Sequence, residues 1–480
     1  MTRRFRLAVL SLPLLLAAGL LAPPASATTG AEPAYSLTPN PCPIPALKGW
    51  ECSTLDVPMN WWARDNGDRA QIAVAVRRAT GETRGTLTLH PGGPGISSLL
   101  NAELVLGTLP ATILRHFDLV LWDQRGVGLS RPLPAGCTVP VTAPEIPDTG
   151  AVDWDAIATS YFAASAEGNR QCYDANRDIA PYLGTQYVVR DLEALRKALG
   201  VHRWSYWGMS YGTQVGLLYA RLYPTRLRAI VLDGSVQPGM TILSAAASRG
   251  TSYQAALALL GASIGKVHSA RMYRVIDALN RRTYVDDEGF TVTRVMFIQG
   301  LIGAAGSQQY IPDAVAMIDE AYRALFLRTR AAPAMDYGPF YSRNFVLCGD
   351  TVGRASVAES AAAAEASADI GTVNAGILSL QWSATCMGLP PGRRPVPEVH
   401  RPIALANPPV ILNALGDPAT PWVWAREMAN MFRGASLITY DGVGHVVYGN
   451  TPSRCVNDAV TAYLLTLRRP GSIACPYVPS

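Results

Sequence analysis

The sequence predicts an α/β protein with a mostly parallel central sheet, helices on both of its faces and an inserted, mainly helical cap. Short apolar runs alternate with helical stretches through the first half of the chain. From about 236 to 400 such runs give way to alanine-rich helical sequence, and after 400 the alternation resumes. Strands separated by helices cannot pair as hairpins; they pair in parallel through crossovers that cover the sheet.

The elements follow in order. Gly85–His90 reads as a strand running into a glycine-rich loop, and Phe117–Asp123 as a second buried strand ending in Gln124-Arg125-Gly126. Over 186–199, Val188, Leu192, Leu195 and Leu199 share one helical face, and Gly200 stops that helix. Trp204–Trp207 is a short strand, 213–223 a helix halted before Pro224, and Arg228–Asp233 a further strand. Past the insertion, Pro409–Asn413 and Ala435–Tyr440 read as strands, with a helix after Pro421 and a last helix over 453–467. The expected layout is thus a core over 51–235 and 401–480, interrupted by a cap over 236–400.

The chain's start reads as a targeting segment. Arg3, Arg4 and Arg6 precede an apolar stretch from Leu7 to Leu21 and an Ala25-Ser26-Ala27 cleavage site, the layout of a signal peptide over 1–27. The stretch falls short of the roughly 20 residues that span a bilayer. Arg3-Arg4 also suits twin-arginine export, but the residues that follow fit that route poorly, so the route stays open. Residues 28–50, rich in Pro, Thr and Ala, read as an extended leader. The expectation is a secreted protein with no stable membrane association once the signal is cleaved.

Composition excludes several classes. The 480 residues are 49% hydrophobic and 16% charged, a balance unlike that of a disordered chain and ample for a large core. Losing three arginines with the signal lowers the formal charge from +5 to +2, and no basic run is interleaved with aromatics, so no nucleic-acid partner is expected. The eight cysteines are an even count, as disulfides in an exported chain require. Sequence neighbours suggest the pairs 42–52, 137–172, 348–386 and 455–475, each stabilising by about 2–4 kcal/mol. None has C-x-x-C spacing, and no metal or cofactor is expected.

The chemistry is carried first by Gly208-Met209-Ser210-Tyr211-Gly212, a G-x-S-x-G turn with a strand before it and a helix after it. Such an elbow lifts the serine hydroxyl out of the sheet, where it can meet a base and a carbonyl together. The flanking glycines are there because a Cβ would strike neighbouring backbone. His90-Pro91-Gly92-Gly93-Pro94-Gly95 also follows a strand. In the α/β-hydrolase fold this loop supplies one oxyanion N–H and the residue after the nucleophile the other, here Gly93 and Tyr211. Two fixed donors contribute about 3 kcal/mol each to the transition state. Of the six histidines, His445 in Asp441-Gly-Val-Gly-His445 lies between the last strand and the last helix, where this fold keeps its base. Asp417 closes the strand before it, giving the chain order Ser, Asp, His. Asp233 is the rival acid, and Asp441 stands too close to His445 in sequence. Asp123-Gln124-Arg125-Gly126 reads as structural support for the oxyanion loop.

Taken together, Pro-Gly-Gly-Pro-Gly (91–95), Asp-Gln-Arg-Gly (123–126), Gly-Met-Ser-Tyr-Gly-Thr (208–213), Leu-Asp-Gly (232–234), Asp-Pro-Ala-Thr-Pro (417–421) and Gly-Val-Gly-His (442–445) resemble the secreted tripeptidyl aminopeptidases of actinobacteria, relatives of proline iminopeptidase. The resemblance runs from about 50 to 478. It implies a serine exopeptidase that releases short units, tripeptides in that family, from free peptide N-termini. It also calls for a carboxylate facing the substrate ammonium, with Asp350 and Glu320 as the candidates. The chain departs from the family pattern at His90, where Asn often stands, and at Ile96-Ser97, where Gly often follows Gly95. An esterase or tailoring hydrolase with the same triad is the second reading, with a peptide or small-molecule substrate in either case, and an idle binding protein on this scaffold the third. Activity is expected to fall as pH drops through the His445 pKa at roughly 6–7.

Overall fold

In a computed structural model, residues 35–479 are described except 65–66, 134–136, 138–143, 145, 287–289, 327–341, 352 and 398. The signal segment expected at 1–27 lies outside the described residues. A ten-stranded sheet organises the rest. Its strands are β1 (Leu37–Pro39), β2 (Glu51–Pro58), β3 (Arg69–Arg77), β4 (Thr86–His90), β5 (Asp118–Trp122), β6 (Trp204–Met209) and β7 (Leu227–Asp233). A small hairpin, β8 (Tyr284–Val285) and β9 (Thr291–Val292), interrupts the series before β10 (Val410–Gly416), β11 (Ser436–Val443) and β12 (Ile473–Pro476). The spatial order is β1-β2-β3-β5-β4-β6-β7-β10-β11-β12. From β5 to β12 every pairing is parallel, while β1, β2 and β3 add an antiparallel edge.

The two-residue period of the strands sorts side chains between the faces. Trp204 and Tyr206 of β6 join the core beneath the helices Thr185–Ala198 and Gly212–Leu222. Trp207 and Met209 join the opposite core, beneath Ala102–Thr108 and Arg454–Thr466. All six β6 residues are buried, as a central parallel strand covered on both sides requires. Each strand read from the sequence forms, with ends that differ by a few residues; β1, β2, β3, β12 and the β8–β9 hairpin have no counterpart in that reading.

The stretch from 236 to 400 forms helices between Ile242 and Ala384 and the β8–β9 hairpin. Tyr253, Leu260, Met272, Phe297, Leu301 and Ile318 build a core of its own. A second cluster brings the helix Trp154–Ala175, which precedes the elbow in sequence, against Ala361, Ala364, Ile377 and Leu380. The described residues form one compact unit. The four disulfides are Cys42–Cys52, Cys137–Cys172, Cys348–Cys386 and Cys455–Cys475, the pairs suggested by sequence neighbours. Among the described residues no helix is long and apolar enough to cross a membrane.

Candidate active site

The C-terminal ends of β4, β6, β7, β10 and β11 converge on one rim. At the end of β6 the chain reverses into the helix Gly212–Leu222, and Ser210 takes a φ of 53°, a left-handed conformation rare for a residue with a side chain. Crowding explains the flanking glycines. A Cβ on Gly208 would sit 2.3 Å from the Gly212 carbonyl oxygen, and one on Gly212 would sit 2.5 Å from that of His90. The Ser210 amide donates to the Asp233 carbonyl at 2.8 Å, pinning the turn to the end of β7.

The glycine loop after β4 closes against this turn. A Cβ on Gly92 would approach the Met209 carbonyl oxygen to 2.6 Å and the Ser210 Cβ to 2.8 Å, so only glycine lets the loop lie beside the serine. Gly93, Pro94, Ser210 and Tyr211 then line a common cavity. His90 anchors the loop. Its Nδ1 accepts the Gly92 amide at 3.1 Å, which leaves the ring proton on Nε2 to donate to Gln124 Oε1 at 2.8 Å. Burial pushes the His90 pKa down to about 4, so the ring is neutral in both bonds at physiological pH.

Asp123 braces the other side of the loop, accepting from Ser97 Oγ at 2.6 Å and from the Leu99 and Leu129 amides. Arg125 departs from the expected loop support. It is fully buried and forks onto Asp191 at 2.6 and 2.7 Å, and it caps the Pro58 and Met59 carbonyls. It therefore fastens the β2 end to the helix Thr185–Ala198.

Asp417 follows β10, and its carboxylate is buried in donors. Oδ1 accepts the Ala419 and Thr420 amides at 2.8 Å each, and Oδ2 accepts Thr420 Oγ1 at 2.8 Å. His445 Nδ1 lies 2.9 Å from Oδ2 and 3.1 Å from Oδ1. This fixes the tautomer with Nε2 carrying the lone pair. Burial disfavours the imidazolium, but the charge and hydrogen bond of Asp417 and the charge of Asp233 outweigh it, and the His445 pKa lies above its ordinary value. That moves the acid limb expected at 6–7 upward.

Asp233 takes a different place. Its carboxylate accepts the Val447 and Tyr448 amides at 2.9 Å each, just beyond the histidine. Gly234 keeps the imidazole's space open, since a Cβ there would come within 3.1 Å of the ring. Asp441 is exposed on β11. Ser210 Oγ makes no side-chain hydrogen bond among the described residues.

The cavity measures about 310 Å³, and apolar side chains from the 236–400 stretch, such as Ile302, Leu347, Leu378 and Trp382, help line it. Neither ammonium candidate lines it. Asp350 is buried behind the wall, where it accepts from the Thr185 amide and hydroxyl and from Gln214 Nε2. Thr185 Oγ1 in turn meets the Tyr211 hydroxyl at 2.5 Å. Burial lifts the Asp350 pKa to about 7. Glu320 lies in the helix Ile311–Phe326, close enough to Tyr284 to act on its hydroxyl. Sequence reasoning missed Arg249, Trp382 and Trp424, which also line the cavity. No motif marks them.

Residues 85–266 match the family described as alpha/beta hydrolase fold, and residues 376–475 match the one described as TAP-like protein. The chain is similar to the serine protease Hip1 of Mycobacterium tuberculosis, at 29% identity with 86% of this chain and 85% of that protein covered. It is also similar to the tripeptidyl aminopeptidase of Streptomyces lividans, at 28% identity with 87% and 82% covered. Carboxylesterase B of Mycobacterium tuberculosis is likewise 28% identical, over 95% of each chain.

Proposed function

We propose that this chain, a serine hydrolase similar to the TAP-like proteins of the alpha/beta hydrolase fold, is a secreted exopeptidase releasing short units, tripeptides foremost, from free peptide N-termini. In this reading His445 Nε2 takes the Ser210 proton as Oγ attacks the scissile carbonyl. Asp417 holds the ring and stabilises the imidazolium without accepting its proton. The Gly93 and Tyr211 amides receive the oxyanion. His445 then protonates the departing amine, and a water activated the same way releases the acyl group. The core over 51–235 and 401–480 carries this chemistry, and the cap over 236–400 sets the substrate.

The observation that carries the reading is the Asp417–His445 pair at 2.9 Å, set on the same strand-end rim as a left-handed serine packed against the glycine loop. Four disulfides support export, since such bonds persist in oxidising compartments. The test is fluorophosphonate labelling combined with tripeptidyl chromogenic substrates, free or blocked at the amino end. Labelling of wild type but not Ser210→Ala, with cleavage of the free substrates alone, is the expected result. Labelling that persists in Ser210→Ala would remove the serine from its role.

A second reading, an esterase with the same residues, is favoured by one observation. Arg249 is the charged residue among the described lining of the cavity, and it is a cation rather than the carboxylate an ammonium group needs. Under that reading acyl esters outrun every peptide, and blocking the amino end changes nothing.

A further inference from the structure

Arg249 begins the helix Arg249–Ser263 and is only 1% exposed, yet it belongs to the cavity wall. Two of its five N–H groups are engaged: Nε donates to the Ala245 carbonyl and Nη1 to that of Ala419, at 2.9 and 2.8 Å. Nη2 is buried without a partner among the described residues. Its guanidinium carbon lies 5.0 Å from the Trp382 ring centre and 5.2 Å from that of Trp424, and both indoles line the same cavity. The group is thus held between aromatic and backbone contacts.

The charge of Asp417 acts on it, but among the described residues no carboxylate bonds it directly. The nearby Asp417 carboxylate gives both oxygens to Ala419, Thr420 and His445. Arg343, over the same Trp382 ring at 4.5 Å, adds a second cation. Burial, together with the charge of Arg343, lowers the Arg249 pKa to about 10, which still leaves it charged at neutral pH. A desolvated cation with an unpaired donor is costly unless something pairs with it. A planar fork with Nη2 and the second Nη1 hydrogen unclaimed matches a carboxylate in geometry and charge.

We propose that Arg249 is the receptor for a substrate carboxylate, so that preferred substrates bring a negative charge into the cavity beside Ser210. This rests on the reading of that cavity as the substrate site. The carboxylate belongs either to the C-terminus of a short peptide or to an acidic side chain.

Competition against fluorophosphonate labelling of Ser210 tests this without requiring that a competitor be cleaved. Tetra-alanine is compared with its C-terminal amide, and a tetra-alanine amide carrying one Glu with its Gln counterpart. In wild type, the carboxylate member of at least one pair should protect at about tenfold lower concentration. The pair that responds identifies the source. Arg249→Met should bring the ratio to about one, and Arg249→Lys, which keeps the charge, should hold it in between. Equal protection by both members of both pairs in labelled wild type overturns the proposal while leaving the hydrolase reading intact. A ratio unchanged in Arg249→Met also overturns it, because an arginine that merely braces Ala419 would weaken both members alike. Absence of labelling in wild type would instead be the failure of the preceding reading.

Discussion

Asp417 faces His445 with both carboxylate oxygens, at 2.9 and 3.1 Å from Nδ1, while further donors hold the carboxylate from behind. The pairing raises the His445 pKa, so the base form is lost as pH falls through a value above the ordinary 6.5. The kcat/KM profile should therefore lose activity on its acid side from above that value downward. Asp417→Asn removes the largest contribution that raises it. It should lower kcat by about four orders of magnitude and shift the residual acid limb to lower pH. An unshifted limb in stopped-assay pH profiles would separate Asp417 from the histidine.

Gly212→Ala should be inactive and poorly folded. Its Cβ would meet the His90 carbonyl at 2.5 Å, and backbone cannot yield as a flexible side chain does. The expected loss is about 1–3 kcal/mol, read by chemical denaturation. A variant with wild-type midpoint and labelling rate would contradict the packing described for the elbow.

His90 acts on the glycine loop through its neutral Nδ1. His90→Ala should reduce kcat by about tenfold to a hundredfold with a smaller change in KM, because the donor proposed for the oxyanion is displaced rather than the substrate pocket. His90→Asn, whose amide oxygen can accept from Gly92, should recover most of that loss. Equal damage from both variants would argue against the hydrogen bond as the cause.

Asp350 and Asp233 should make the fold pH-sensitive. Burial raises both pKa values to about 7, well above an unfolded carboxyl. The folded state thus holds protons that the unfolded chain has released. That stabilisation is complete below about pH 4 and disappears as pH rises through 7. Asp350→Asn should flatten part of this slope in melting temperatures taken from pH 5 to 8. Asp350→Ala should cost about 3 kcal/mol through the stranded Thr185 and Gln214 donors, without altering the preference between free and blocked amino ends.

The rim of the sheet was legible because its residues come in contiguous motifs, each tied to a strand end. Ser210, Asp417 and His445 announce themselves by what stands beside them. Arg249 does not: Ala419 and Trp382 lie far along the chain, and a lone arginine in an alanine-rich helix looks like any solvated residue. β2 escaped notice because the exposed Glu51 and Asp56, with Pro58 at its end, break up its apolar pattern. The helix Trp154–Ala175 hides its stripe by burying Ser165 and Asn169 among aromatic residues. Asp350 was offered as a cap carboxylate for the ammonium, and sequence cannot say which donors close around it.

Every disulfide joins cysteines that are consecutive in the chain, across separations of only 10, 35, 38 and 20 residues. Under the proposed export, a chain threaded out amino end first could close each of these short loops as it arrives, before the cysteines of the next pair are in reach.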